Sequence, residues 1–194
     1  MGQGELASDE QKTAEIASKF VDAAVLFDDL GVRRITSEHE RETWLQRNCS
    51  EERARSLEAT VHNLQSAYDT WVKGTSVEAG DPRLHKLRGH ASAALHLLEA
   101  VTQLTHFVER HERTSREDAI PRRIANLVSK SEVRDVTLNH LLVHAGAYLR
   151  RGRSVAEDLL PSYTNVQEIE VGLRDDVVLH ARPAALIVGI VQRY

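Results

Sequence analysis

The sequence predicts a mainly α protein: a multi-helix bundle followed by a C-terminal strand-loop-helix. Three observations carry this. Apolar residues recur at steps of three and four through most of the chain, capping residues and glycines punctuate those stripes, and the period changes to two only near residue 168. Composition agrees: of 194 residues 41% are hydrophobic, aromatics are only 5%, and there are 4 prolines. That is the profile of a helical core built from Leu, Val and Ala, in a chain long enough to bury one.

Residues 1–11 are polar, lack periodicity and read as a loose tail. Ile16, Phe20, Ala23, Phe27 and Leu30 then mark one face of a first helix, ended by Gly31. Ser37 with Glu40 is a capping-box pattern opening a second helix that carries Trp44 and Leu45. Ser50 caps a third, whose stripe runs Leu57, Val61, Leu64, Tyr68, Trp71 and stops at Gly74; Trp44 and Trp71 read as core anchors. Residues 75–80 read as a loop. Asp81 and Pro82 are a start signal, because the carboxylate accepts a free backbone donor and proline needs none. The apolar face from Leu84 to Val108 makes the following helix the longest. Polar residues 111–116 break it, and Pro121 starts or kinks the next. Val133, Val136, Leu141, Ala145 and Leu149 continue the pattern after a break near residues 129–131. Ser154 and Glu157 read as a capping box before a short helix that Pro161 ends. The bundle therefore covers 12–161.

Charge and cysteine usage narrow the function classes. The formal net charge is −4, so no global field draws the chain to nucleic acid or anionic membrane. No apolar run approaches the roughly 20 residues needed to span a bilayer, and the N-terminus is no signal peptide. The single cysteine, Cys49, cannot form an internal disulfide, and the expected location is cytoplasmic. Partner expectations accordingly exclude nucleic acid and membrane insertion.

His140 and His144 stand four apart, the spacing of a two-histidine metal site, but no glutamate follows His140 to complete a hydrolase motif. His85, His90, His96, His106 and His111 lie at irregular steps along the long helix. All are read as histidines without metal, and no cofactor is expected. Arg150, Arg151 and Arg153 read as a basic cluster neutralising a helix C-terminus. Cys49 has no nearby base to make it a nucleophile.

In residues 168–173 apolar side chains alternate, a half-buried strand. From Ala184 the pattern is helical again, through Leu186, Ile187, Ile190 and Val191. Between them Pro183 suits a first helical turn, which puts His180 at or just before a helix N-terminus, where free N–H groups and the dipole favour an anion. Arg182 adds a planar donor fork suited to phosphate oxygens. A phosphoryl group on His180 would be held there without being trapped.

These residues, Leu179, His180, Ala181, Arg182, Pro183, Ala184 and Ala185, resemble the phosphorylation loop of the HPr family of the bacterial phosphotransferase system. Ile169, Glu170 and Val171 sit where that family's first strand belongs, and Val178 stands where it carries a glycine. The resemblance covers 166–194. It implies the start of an open-faced α/β sandwich, an incomplete HPr-like domain, and hence that this chain is a fragment of a longer protein. It also implies the catalytic assignments: His180 as phosphoryl acceptor and Arg182 as its charge partner. The implied partners are an Enzyme I-like phosphoryl donor and, as acceptor, a sugar permease component or a regulator. The helical region would bind partners or tether the domain. The alternative expectation is a helical interaction or scaffold protein whose HPr-like segment is a non-functional remnant.

Overall fold

The computed structural model describes residues 3–112 and 128–164. Among them are α1 (Gln3–Asp28), α2 (Glu38–Asn48), α3 (Glu51–Trp71), α4 (Ser76–Gly80), α5 (Pro82–Glu112) and α6 (Lys130–Asp135). A π-helical segment (Val136–Leu142) then runs directly into α7 (Val143–Tyr163). No strand occurs among the described residues. Residues 165–194, with the expected strand-loop-helix, lie outside them, as does Pro121 with its expected helix start.

The helix starts follow from local chemistry. The hydroxyls of Ser37, Ser50, Thr75 and Ser129 accept from the backbone N–H of Glu40, Arg53, Glu78 and Glu132, each three residues on. Each hydroxyl thus satisfies a donor that the first helical turn leaves free. Asp81 does the same for α5 through the N–H of Arg83. Two turns require a left-handed backbone, and both have glycine: Gly31 at φ 63° after α1 and Gly74 at φ 80° after α3.

Four long helices, α1, α3, α5 and α7, form the body of the bundle; α1 packs on α7, α7 on α5, α5 on α3, and α3 back on α1. One apolar cluster runs through all four and includes Phe20, Phe27, Leu64, Tyr68, Leu87, Leu98, Leu149 and Leu159. The α1–α7 seam is close because α7 presents glycine there. A Cβ at Gly146 would stand 2.8 Å from the Phe27 ring, and one at Gly152 would overlap the Phe20 ring. Phe20 and Phe27, two turns apart, therefore seat their rings against bare backbone.

Several sequence expectations are corrected. The expected loose tail is largely helix, since α1 begins at Gln3; residues 3–11 hold no proline, and buried Thr13 ties them back by donating to the Asp9 carbonyl (2.8 Å). The loop read at 75–80 contains α4, started by its Thr75 cap. Trp71 is 54% exposed, because the buried stripe steps from Tyr68 to Val72, an interval of four, and not to position 71. The helix break at Ser154 does not exist: α7 is continuous, the Ser154 hydroxyl bonds the Arg150 carbonyl, and Glu157 pairs with Arg153. Pro161 lies inside α7, on its exposed side near the end, where water can satisfy the Glu157 carbonyl that lacks its helical donor.

The π segment corrects another. Val136, expected on the buried stripe, is 36% exposed, while Val133, Leu138, Leu142 and Ala145 are buried. The step of five from Val133 to Leu138 is what an i→i+5 turn supplies, and an α-helical reading cannot anticipate it.

Candidate functional site

The residues singled out for phosphoryl chemistry, His180 and Arg182, lie with the rest of 179–185 outside the described residues. The structure therefore shows the helical part of the protein and the polar sites that part holds.

Among the described residues the histidines do not converge. His140 and His144 are both exposed; His140 Nε2 stands 3.7 Å from Asp135 Oδ2. His85 lies 3.4 Å from Glu78, His96 pairs with Glu99 on the next turn (2.9 Å), and His106 lies 2.9 Å from Glu51. His90 is half-buried beside the Tyr148 ring, and burial together with Arg151 lowers its pKa. Among the described residues no three His, Cys, Asp or Glu side chains are grouped to hold a metal ion.

The arginine cluster is not at a helix end. Arg150, Arg151 and Arg153 lie within α7; Arg150 pairs with Asp28 at the C-terminus of α1 (3.2 Å) and Arg153 with Glu157 (2.7 Å). Cys49 is the C-cap of α2 and only 3% exposed. Burial pushes its thiol up to about 12, which keeps it protonated and unreactive at neutral pH.

Two buried polar clusters stand out, and neither is obvious in the sequence. The first surrounds Glu78 in α4. Its carboxylate accepts from the Tyr68 hydroxyl (2.7 Å) and the Gly74 N–H (2.7 Å), closing the turn between α3 and α4. Burial alone would raise its pKa; the Gly74 and Tyr68 donors outweigh that and hold it below the usual range. The second lies where the α1–α2 connection meets the π segment. Asn139 pairs with both backbone groups of Ile35, accepting from its N–H (2.8 Å) and donating to its carbonyl (2.9 Å). Asn139 also donates to Asp135 (2.8 Å). Arg41, 6% exposed, donates to the carbonyls of Ile35 and Thr36 and lies 3.1 Å from the same Asp135 oxygen. The one local signal was a helix phase that did not fit period 3.6, since π turns often mark special positions.

Hollows also lie on the bundle. A narrow crevice under α2 is lined by Leu45, Cys49, Thr105, Val108, Glu109 and Thr137 among others. A broader, open groove runs between α1 and α3, bounded by Lys19, Asp22, Leu26, Thr60, Asn63 and Ala67. None of the described helices is long and apolar enough to cross a membrane. In comparisons with family models, curated proteins and solved structures, the chain matches none.

Proposed function

We propose that this protein is a phosphocarrier or regulator of the phosphotransferase-system type. His180 accepts a phosphoryl group from an Enzyme I-like donor and passes it to a permease component or regulator. The helical bundle binds or tethers these partners. The observation that supports the reading is the run Leu179, His180, Ala181, Arg182, Pro183, Ala184, Ala185, set between a period-two segment and a helix-period segment. In the proposed step an imidazole nitrogen of His180 attacks phosphorus in line. The bond from phosphorus to the donor's histidine nitrogen breaks as the new P–N bond forms. Arg182 and the backbone N–H groups that Pro183 leaves at a helix start bear the charge of the transferred group.

The test is labelling of the full gene product with phosphoenolpyruvate and Enzyme I. His180 should carry an acid-labile, alkali-stable label. His180→Ala should abolish it, and Arg182→Ala should slow transfer without changing the helical fold. Val178→Gly should raise the rate if the β-branched residue restrains the loop. Absence of label from every Enzyme I tried, with no rescue by Val178→Gly, would replace the carrier reading with that of a helical interaction protein.

A further inference from the structure

α2 is held differently from the four long helices. Of its 11 residues only Arg41, Trp44 and Leu45 are buried, and one of these is charged. Its main packing is on the short α6, and a crevice separates it from α5. Polar bonds hold it at both ends. On the N-terminal side are the Arg41 contacts and the two-way grip of Asn139 on Ile35, both converging on Asp135. Along the helix, Glu42 pairs with Arg134 at 2.9 Å. Past the C-terminal end, Glu109 of α5 accepts from the Glu51 N–H at 2.7 Å. The connections are short and irregular: residues 29–37, with left-handed Gly31, on one side, and Cys49 with Ser50 on the other.

We propose that α2 is a hinged flap, latched shut by the Arg41–Asp135–Asn139–Ile35 cluster, whose opening exposes the crevice over Cys49 while the four-helix body stays folded. An element fastened mostly by polar bonds opens more readily than one fastened by apolar burial, because water replaces the broken bonds. α1, α3, α5 and α7 share the large apolar cluster, to which α2 contributes only Trp44 and Leu45. The closed flap buries Arg41 with its Nε lacking a hydrogen-bond partner, an unmet donor that opening would hydrate.

Cys49 makes the motion measurable. Its thiol is shielded in the closed state, so its reaction with excess 5,5′-dithiobis(2-nitrobenzoic acid) reports opening. The whole chain is labelled at neutral pH over a series of urea concentrations below the unfolding transition. A local flap opening gives a labelling rate that hardly changes with urea, because little surface is exposed. Asn139→Ala and Asp135→Asn, which break the latch, should each speed labelling roughly tenfold or more, still with a flat urea dependence. Amide hydrogen exchange should show α2 exchanging ahead of the four long helices. A labelling rate that climbs with urea as steeply as global unfolding, no acceleration in the latch variants, or α2 amides exchanging together with the body would each overturn the proposal.

Discussion

Asp81 gathers the ends of two helices onto one carboxylate. It caps α5 through the Arg83 N–H and accepts from the Arg83 guanidinium at distances down to 2.6 Å. It also accepts from the Tyr163 hydroxyl near the end of α7 at 2.9 Å. Arg83 continues the tie by donating to the Asp158 carbonyl and to Ser162. The Arg83 side chain, above all, holds the Asp81 pKa down to about 2, against an ordinary 3.8, and outweighs the opposing effect of burial. A carboxylate with a depressed folded-state pKa stabilises the fold above its unfolded pKa. Its contribution is therefore complete above about pH 4 and fades as pH falls toward 2. Asp81→Asn should cost about 1–2 kcal/mol at pH 7, allowing for solvent screening, and the gap from the parent should close between pH 4 and pH 2. Urea titrations across that range measure it; a gap that stays constant with pH would mean that Asp81 acts by shape alone.

At the scale of elements, what could be read from the sequence was whatever is settled locally. The caps at Ser37, Ser50 and Asp81, the glycine turns at 31 and 74, and the length of α5 are fixed by neighbours a few residues away. What escaped depends on distant chain. Ser154 and Glu157 have a capping pattern, yet Leu149, Gly152, Ala156 and Leu159 keep one buried face through them, and that continuous packing wins. The Asn139 grip on Ile35 joins residues 104 apart, a pairing no local pattern encodes. Likewise the place of Gly146 and Gly152 in α7 is explained only by the facing rings of Phe27 and Phe20. This gives a test of the α1–α7 seam. Alanine normally improves a helix over glycine by about 1 kcal/mol. At Gly152 the new methyl overlaps the Phe20 ring and lies about 3.0 Å from His90 Cβ, so neither neighbour can yield without moving a helix. Gly152→Ala should therefore destabilise by a net 1–3 kcal/mol on the order expected for overpacking, and Phe20→Leu in the same chain should recover part of it. A stabilised Gly152→Ala protein in thermal or urea unfolding would show that the seam is looser than this.

At the scale of the molecule, the candidate site and the bundle are separate problems. The motif around His180 was legible because seven consecutive residues carry it, whereas nothing in 12–161 carries a comparable run, and the bundle's polar clusters arise only on folding. Among the described residues the apolar cluster runs from Ile16 to Leu159, and Asp81 with Arg83 fastens the last turn of α7 at Ser162 and Tyr163. A cluster of that extent, with the final turn of α7 fastened to the start of α5, is the basis for expecting the bundle to fold without the segment that follows. Residues 1–164 alone should therefore fold, give a strongly helical circular dichroism spectrum with no large strand component, and unfold cooperatively at a midpoint within about 5 °C of the whole chain. The consequence for the proposed carrier is direct. If the bundle folds alone, substitutions at His180 and Arg182 should change phosphoryl labelling while leaving the unfolding transition of the bundle in place, and the latch variants Asn139→Ala and Asp135→Asn should leave phosphoryl labelling unchanged. If residues 1–164 show no cooperative transition, or a midpoint lower by tens of degrees, then the C-terminal segment is part of the same folding unit. The bundle could then no longer be treated as a tether independent of the His180 loop.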